Sequence, residues 1–286
     1  MERSPPKVKK RMERATATGA WLSTIPDRFS GTELTKDEWL DNVAIRYGRR
    51  PADLPDHCDG CGSGLTLEHG LSCKRGGLVG IRHDDMRDEW AHLCSIALTD
   101  SRVVTEPAIF YGNGTRATAT NAATNATNPS GRTNTPGDEA RGDVLAHCFW
   151  SRGRGTVFDI RICDTDSRSY GATSSAKILE RHAKEKKEKY EAACLERRRD
   201  FTPLVYSVDG MASKDARTAE RRVAWLLAQK WKRAYSDMAN FVRTRMSLAV
   251  VRSNTLLLRG DRTSPMRRRA PSDGVAATCH DQLRNE

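Results

Sequence analysis

The chain predicts an α/β fold, a sheet flanked by helices, preceded by a small zinc-binding module. Three observations carry that prediction. Cys58, Cys61, His69 and Cys73 fall within one 16-residue stretch. Segments with apolar residues at helical spacing alternate afterwards with short β-branched, aromatic runs, the order of an α/β protein. One of those runs, "TVFDIRIC" at 156–163, is apolar enough to be a buried strand yet carries an acid, Asp159, in its middle.

Residues 1–20 are basic and rich in Ser, Pro and Thr, and are expected to be a disordered tail; "PPKVKKR" has the composition of a nuclear import signal. Residues 21–78 hold a helix and the metal motif. The helix is "LTKDEWLDNVAIRYG", with Thr35 as N-cap, Glu38 three residues on, and Trp39, Val43 and Tyr47 spaced to pack. The motif is "CDGCGSGLTLEHGLSC". Two cysteines separated by two residues make a compact thiolate pair, and a His and a Cys four apart converge from one helical turn, so the four close a tetrahedral, structural zinc site. Glycines at 60, 62 and 64 allow the chain to turn tightly there. His57 is a less well placed alternative ligand, being adjacent to Cys58.

"GLVGIRHDDMRDEWAHLCSIALTD" puts Ile81, Met86, Trp90, Leu93 and Ala97 on one side of a second helix. "RVVTEPAIFYG" reads as a strand stopped by Gly112. Residues 113–139 have no aromatic residue and almost nothing apolar larger than Ala, so burial cannot offset their ordering entropy, and a disordered insertion is expected. "DVLAHCFW" and "TVFDIRIC" follow as two strands of a hairpin through "SRGRG". A charged helix over about 174–199, a strand "FTPLVYSV" and a helix over 213–250 complete the pattern, with residues 261–286 as a second basic disordered tail.

The net charge is +11, and it is one-sided: residues 177–286 carry 25 Lys and Arg against 14 Asp and Glu, whereas the first 176 residues carry 23 against 23. A surplus so placed favours a polyanionic partner, most simply nucleic acid. No apolar run approaches the roughly 18 residues of a membrane span and no signal-peptide pattern occurs, so a nuclear, otherwise cytoplasmic, protein without a membrane partner is expected. The eight cysteines are not spaced as a disulfide framework.

Taken in series, the zinc motif, "HGLSCKRGGLVGIRHDDMRDE", "RGDVL", "FDIRICD", "EKKEKY" and "FTPLVYSVDG" resemble the carboxy-terminal region of non-LTR retrotransposon proteins that carry a restriction-enzyme-like endonuclease, over residues 17–260. The resemblance implies a PD-(D/E)XK-type, restriction-endonuclease-like mixed sheet over residues 79–260. It makes Asp143 and Asp159 the ligands of a catalytic Mg or Mn ion, Lys186 or Lys189 the lysine, Arg161 its fallback, and Glu106 and Glu89 accessory acids. It implies metal-dependent nicking of target DNA, with DNA and possibly element RNA as partners; the alternative is a catalytically decayed, zinc-containing nucleic-acid-binding remnant without its polymerase. The chain departs from the pattern in having Gly142 before Asp143, Arg161 two residues after Asp159, and 36 residues between Glu106 and Asp143. It has no Tyr-Ala-Asp-Asp-like polymerase motif, so no reverse transcription is expected of it.

Overall fold

The computed structural model describes residues 6–99, 102–109 and 141–263; the insertion expected at 113–139 lies outside them. In chain order the elements are α1 (Pro6–Ala17), α2 (Lys36–Tyr47), α3 (Leu67–Ser72), α4 (Leu78–Ala97), β1 (Val103–Thr105), β2 (Val144–His147), β3 (Gly155–Cys163), α5 (Ser175–Glu196), β4 (Arg199–Ser207), α6 (Lys214–Trp231) and α7 (Tyr235–Arg259). The four strands form one mixed sheet in the order β1-β2-β3-β4. The first two pairings are antiparallel and β3–β4 is parallel, so β3 and β4 need a crossover, which α5 supplies.

The sheet is covered on both faces because the central strand is apolar on both. Phe158 and Ile160 of β3 join Val144, Leu204 and Tyr206 in a core with Met86, Trp90 and Leu93 of α4, Val223 and Leu227 of α6, and Val242 and Met246 of α7. Phe158 sits edge-on to Trp90 at 5.3 Å and to Phe149 at 4.9 Å, and each fully buried ring of this kind contributes about 1.5–3 kcal/mol by transfer alone. On the opposite face Val157 and Phe201 pack on Tyr190 and Cys194 of α5, and Cys163 and Val205 on Ile178, Leu179 and Ala183. Strand side chains alternate, so Asp159 shares the face of Val157 and Cys163 and points toward α5.

Several expectations need correction. Residues 6–17 are not a disordered tail but a helix, held by charge rather than by apolar burial: Lys10 and Arg14 are buried, and Arg14 bonds Asp166, Asp209, Thr165 and Ser175. The capping box of α2 forms as read, but its buried face is Asp41, Asn42 and Ile45, because Asp41 pairs with Arg259 and Asn42 bonds the Val251 carbonyl; Trp39 and Tyr47 are exposed. The strand read over "RVVTEPAIFYG" closes after Thr105, where Glu106 takes a positive φ of 51°. The helix read over 213–250 is two, broken at Lys232, whose φ of 52° is left-handed, and the second runs on to Arg259. Residues 261–263 do not belong to a disordered tail: Arg262 is buried and its guanidinium donates to the Gly70 carbonyl, with its backbone N–H on Asp59, while the rest of the tail expected over 261–286 lies outside the described residues.

Candidate active site and zinc centre

The zinc motif folds as its spacing demands. Gly62, at φ 73°, turns the chain so that its N–H reaches the Cys58 carbonyl at 2.8 Å, and Cys58 N–H returns to the Ser63 carbonyl at 2.8 Å. Thr66 then caps α3 by accepting from the His69 N–H, and Cys73, at the helix end, donates its N–H to the His69 carbonyl. One ligand atom from each of Cys58, Cys61, His69 and Cys73 lies within 4.8 Å of every other. Cys58 and Cys73 sulfurs are 3.8 Å apart, and Cys61 Sγ is 3.2 Å from His69 Nε2. A tetrahedron with Zn–S bonds of about 2.3 Å has S···S edges of about 3.8 Å. The sulfur spacing fits two ligands of one zinc and is far too long for a disulfide. The Cys61 thiol is held down to about 6 by bonds from the Ser63 hydroxyl and backbone, while burial raises Cys73. The set can hold zinc; His57 is not part of it. By contrast, burial pushes the Cys163 thiol up to about 12 and Cys194 to about 11, as for inert core cysteines.

The module is not a separate body. Leu54, Leu65 and Leu71 share a core with Leu78, Val208, Leu257 and Leu258. Gly60 and Gly76 are pressed against Arg262: a Cβ on Gly76 would lie 2.5 Å from the Arg262 backbone. Arg82 of α4 is buried and donates to the Leu71 carbonyl at 3.1 Å, tying the module to the helix that also carries His83.

A second cluster forms where β2, β3, α4 and α5 meet. Asp143 precedes β2, and its N–H bonds the Phe158 carbonyl at 2.9 Å. The antiparallel ladder stops there, so the next N–H of β3, that of Ile160, donates instead to Asp143 Oδ2. The same oxygen meets His83 Nε2 at 3.2 Å. Asp143 Oδ1 has no partner among the described residues. Asp159, 6% exposed, places Oδ2 against the Lys186 ammonium and has no other ion pair or hydrogen bond among the described residues. Burial raises the Asp159 carboxyl above its ordinary range; Lys186 opposes that rise and the charge on Asp143 adds to it. His83 behaves in the opposite way. Burial disfavours its charge, but Asp143, Asp84 and Asp159 outweigh burial and lift the imidazole to about 10. Two carboxylates, one ammonium and one imidazolium thus share a partly enclosed spot, each carboxylate with an oxygen to spare.

The remaining sequence candidates do not join it. Lys189 is exposed and lies over the Tyr190 ring at 4.8 Å. Arg161 pairs with Glu185 at 3.2 Å. Glu106 hydrogen-bonds through its backbone to the Asp143 carbonyl, but its carboxylate pairs with Arg87 at 2.9 Å. Glu89 makes a two-bond pair with Arg245 of α7, at 2.8 and 2.9 Å, which is a packing role. His83 is the residue the sequence reading passed over.

Among the described residues no helix is long and apolar enough to cross a membrane. Comparison with known proteins finds no family model that matches the chain and no curated protein that matches it.

Proposed function

We propose that the chain is a metal-dependent DNA endonuclease domain that nicks DNA by hydrolysing a phosphodiester, with Asp143, Asp159 and Lys186 as its working residues. The observation that supports this is the meeting of two acids from neighbouring strands with a lysine from the crossover helix. The donor set suits a hard divalent cation, Mg or Mn, because both carboxylates keep an oxygen free; Lys186 and His83 already balance the two acids, so a bound cation would have to compete with those cations for them. When bound, such a cation supplies Lewis acidity toward a phosphate oxygen and an attacking water. The protein's own contribution is positional. The Ile160 N–H and His83 fix Asp143 Oδ2, which leaves Oδ1 for a further ligand. Lys186, held by Asp159, presents a charged donor where negative charge develops on the phosphoryl oxygens. The Cys3His site then acts as a brace that holds α3 and the start of α4, and so His83, against the sheet.

The test is nicking of supercoiled plasmid with Mg²⁺ or Mn²⁺. Asp143→Ala and Asp159→Ala should abolish nicking while zinc content and DNA affinity stay near wild type. Cleavage by either variant at the wild-type rate refutes the assignment. A wild-type protein that binds DNA but does not nick it with either cation is a binding remnant instead.

A further inference from the structure

α6 carries an exposed face whose chemistry neither the zinc centre nor the acid cluster uses. Arg217 and Arg221 are exposed on it, and Arg243 reaches the same groove from α7; Ala224 and Ala239 form the floor of a cavity of about 50 Å³. At about 10–15 Å³ per water-sized group, that space takes about three to five such groups, enough for a phosphoryl and too few for a nucleobase. Among the described residues none of the three guanidiniums has an ion-pair partner within bonding distance. The acid between them, Glu220, is turned inward and accepts from the Tyr206 hydroxyl at 2.9 Å. Its burial pushes that carboxyl up to about 7 against the pull of the Tyr206 bond and the three arginines, so it offsets them only in part near neutral pH. One turn along, Arg222 stacks 4.6 Å from the Trp225 ring centroid and is itself anchored by its Nε–H on the Phe149 carbonyl. The indole is thereby held in place, and Trp225 is still 45% exposed.

We propose that this groove binds a single nucleic-acid strand, with backbone phosphates on Arg217, Arg221 and Arg243 and a base stacked on Trp225. Positive charge spaced along a helix beside a fixed, exposed aromatic is the combination that strand binding without sequence preference requires. A duplex keeps its bases stacked inside and offers Trp225 no free face. α6 packs on the sheet face of Phe158 and Ile160, whereas Asp159 and Lys186 lie on the α5 face, so the groove is a surface separate from the acid cluster. The proposal extends the nucleic-acid partner inferred above and does not depend on hydrolysis.

The test uses the full, zinc-loaded chain and no added Mg²⁺, so that cleavage plays no part. Fluorescence anisotropy with labelled oligo-dT, oligo-U and a duplex of equal length gives affinity against salt. Trp225→Ala should weaken both single strands about tenfold and the duplex little, with Trp225→Phe restoring most of the loss. The triple variant Arg217→Ala/Arg221→Ala/Arg243→Ala should lower the log–log salt slope for single strands by about two, near 0.7 per phosphate. Unequal binding of oligo-dT and oligo-U, with both losses present, assigns the strand as DNA or RNA. Wild-type affinity and salt slope in these variants overturn the proposal, as does competition by poly-glutamate as strong as that by oligo-dT, which would make the groove a site for acidic protein.

Discussion

Replacing Lys186 with Met removes the one cation that touches Asp159 among the described residues while keeping most of the side-chain volume. The Asp159 and Lys186 side chains are 8% and 17% exposed, so water replaces the ammonium poorly. Removing one partner of a buried pair costs about 3–5 kcal/mol. Here the cost has a ceiling, because the carboxyl can take up a proton instead. For a carboxyl of ordinary pKa near 3.9, neutralisation at pH 7 costs about 4 kcal/mol, and at pH 5 about 1.5 kcal/mol. The expected destabilisation is therefore about 3 kcal/mol at pH 7, a drop of roughly 6–12 °C in Tm for a chain of this size, shrinking by half or more at pH 5. The direction follows from linkage. A carboxyl whose folded pKa is raised gives its full stability below the unfolded value and loses it as pH rises through the folded one. Urea unfolding at pH 5 and pH 7 reads this directly, without added Mg²⁺ and with zinc retained. Plasmid nicking by the same variant should fall by about 10²–10³ where it is still folded. A variant equally stable at both pH values, and as active as wild type, refutes the placement of Lys186 beside Asp159.

Other perturbations test other parts of the molecule. Purified protein should carry one zinc, and chelation or Cys73→Ser should lower the melting of the whole domain in one transition, since Leu65 and Leu71 share a core with α7; less than about half an equivalent of zinc, or an unchanged melt, contradicts this. Arg14→Ala should cost about 3 kcal/mol in urea unfolding, by leaving Asp209 with only the Ser207 hydroxyl and Asp166 with Arg11 as its one remaining ion pair among the described residues. Burial raises Asp166, but the bonds and charges of Arg14 and Arg11 hold it below the usual range, so the wild type loses that stability as pH falls below about 4; the variant should show a shallower acid limb. Glu89→Gln should cost about 2 kcal/mol by breaking the pair with Arg245 and leave nicking intact wherever the fold survives, and loss of nicking from a folded variant would return Glu89 to the site.

What the sequence made legible is what it encodes locally. The capping box at Thr35 and Glu38 spans one turn, and the four zinc ligands lie within two turns and a loop. The pairing of Asp143 with Asp159 followed from a hairpin whose register, Val144 opposite Phe158, sets the preceding acid beside the following one. The choice between Lys186 and Lys189 was open because the helix is charged all round, yet its phase held the answer: Leu179, Ala183, Tyr190 and Cys194 form the buried stripe, and Lys186 falls on it four residues before Tyr190. His83 gave the same signal unread, standing three residues before Met86 on the stripe that continues through Trp90. α1 escaped because its buried residues are charged, and their partners Asp166 and Asp209 lie some 150 to 195 positions away, where no periodicity reports them. The apolar spacing of Trp39 and Tyr47 misled for the converse reason, since polar pairs with α7 chose the inner face of α2.

The acid cluster draws its members from α4, β2, β3 and α5, and Lys186 reaches Asp159 only from a crossover whose far end is pinned by the parallel pairing of β3 with β4. The hairpin that pairs the two acids is local, but the contact of Lys186 with Asp159 is completed late, because parallel strands are slow to pair. A nascent chain that has not yet made residue 207 can already bring the two acids together through the β2–β3 hairpin, but has no paired β4 to fix the lysine beside them. Whatever chemistry the cluster performs is therefore withheld until synthesis has passed the last strand, so its appearance marks completion of the fold.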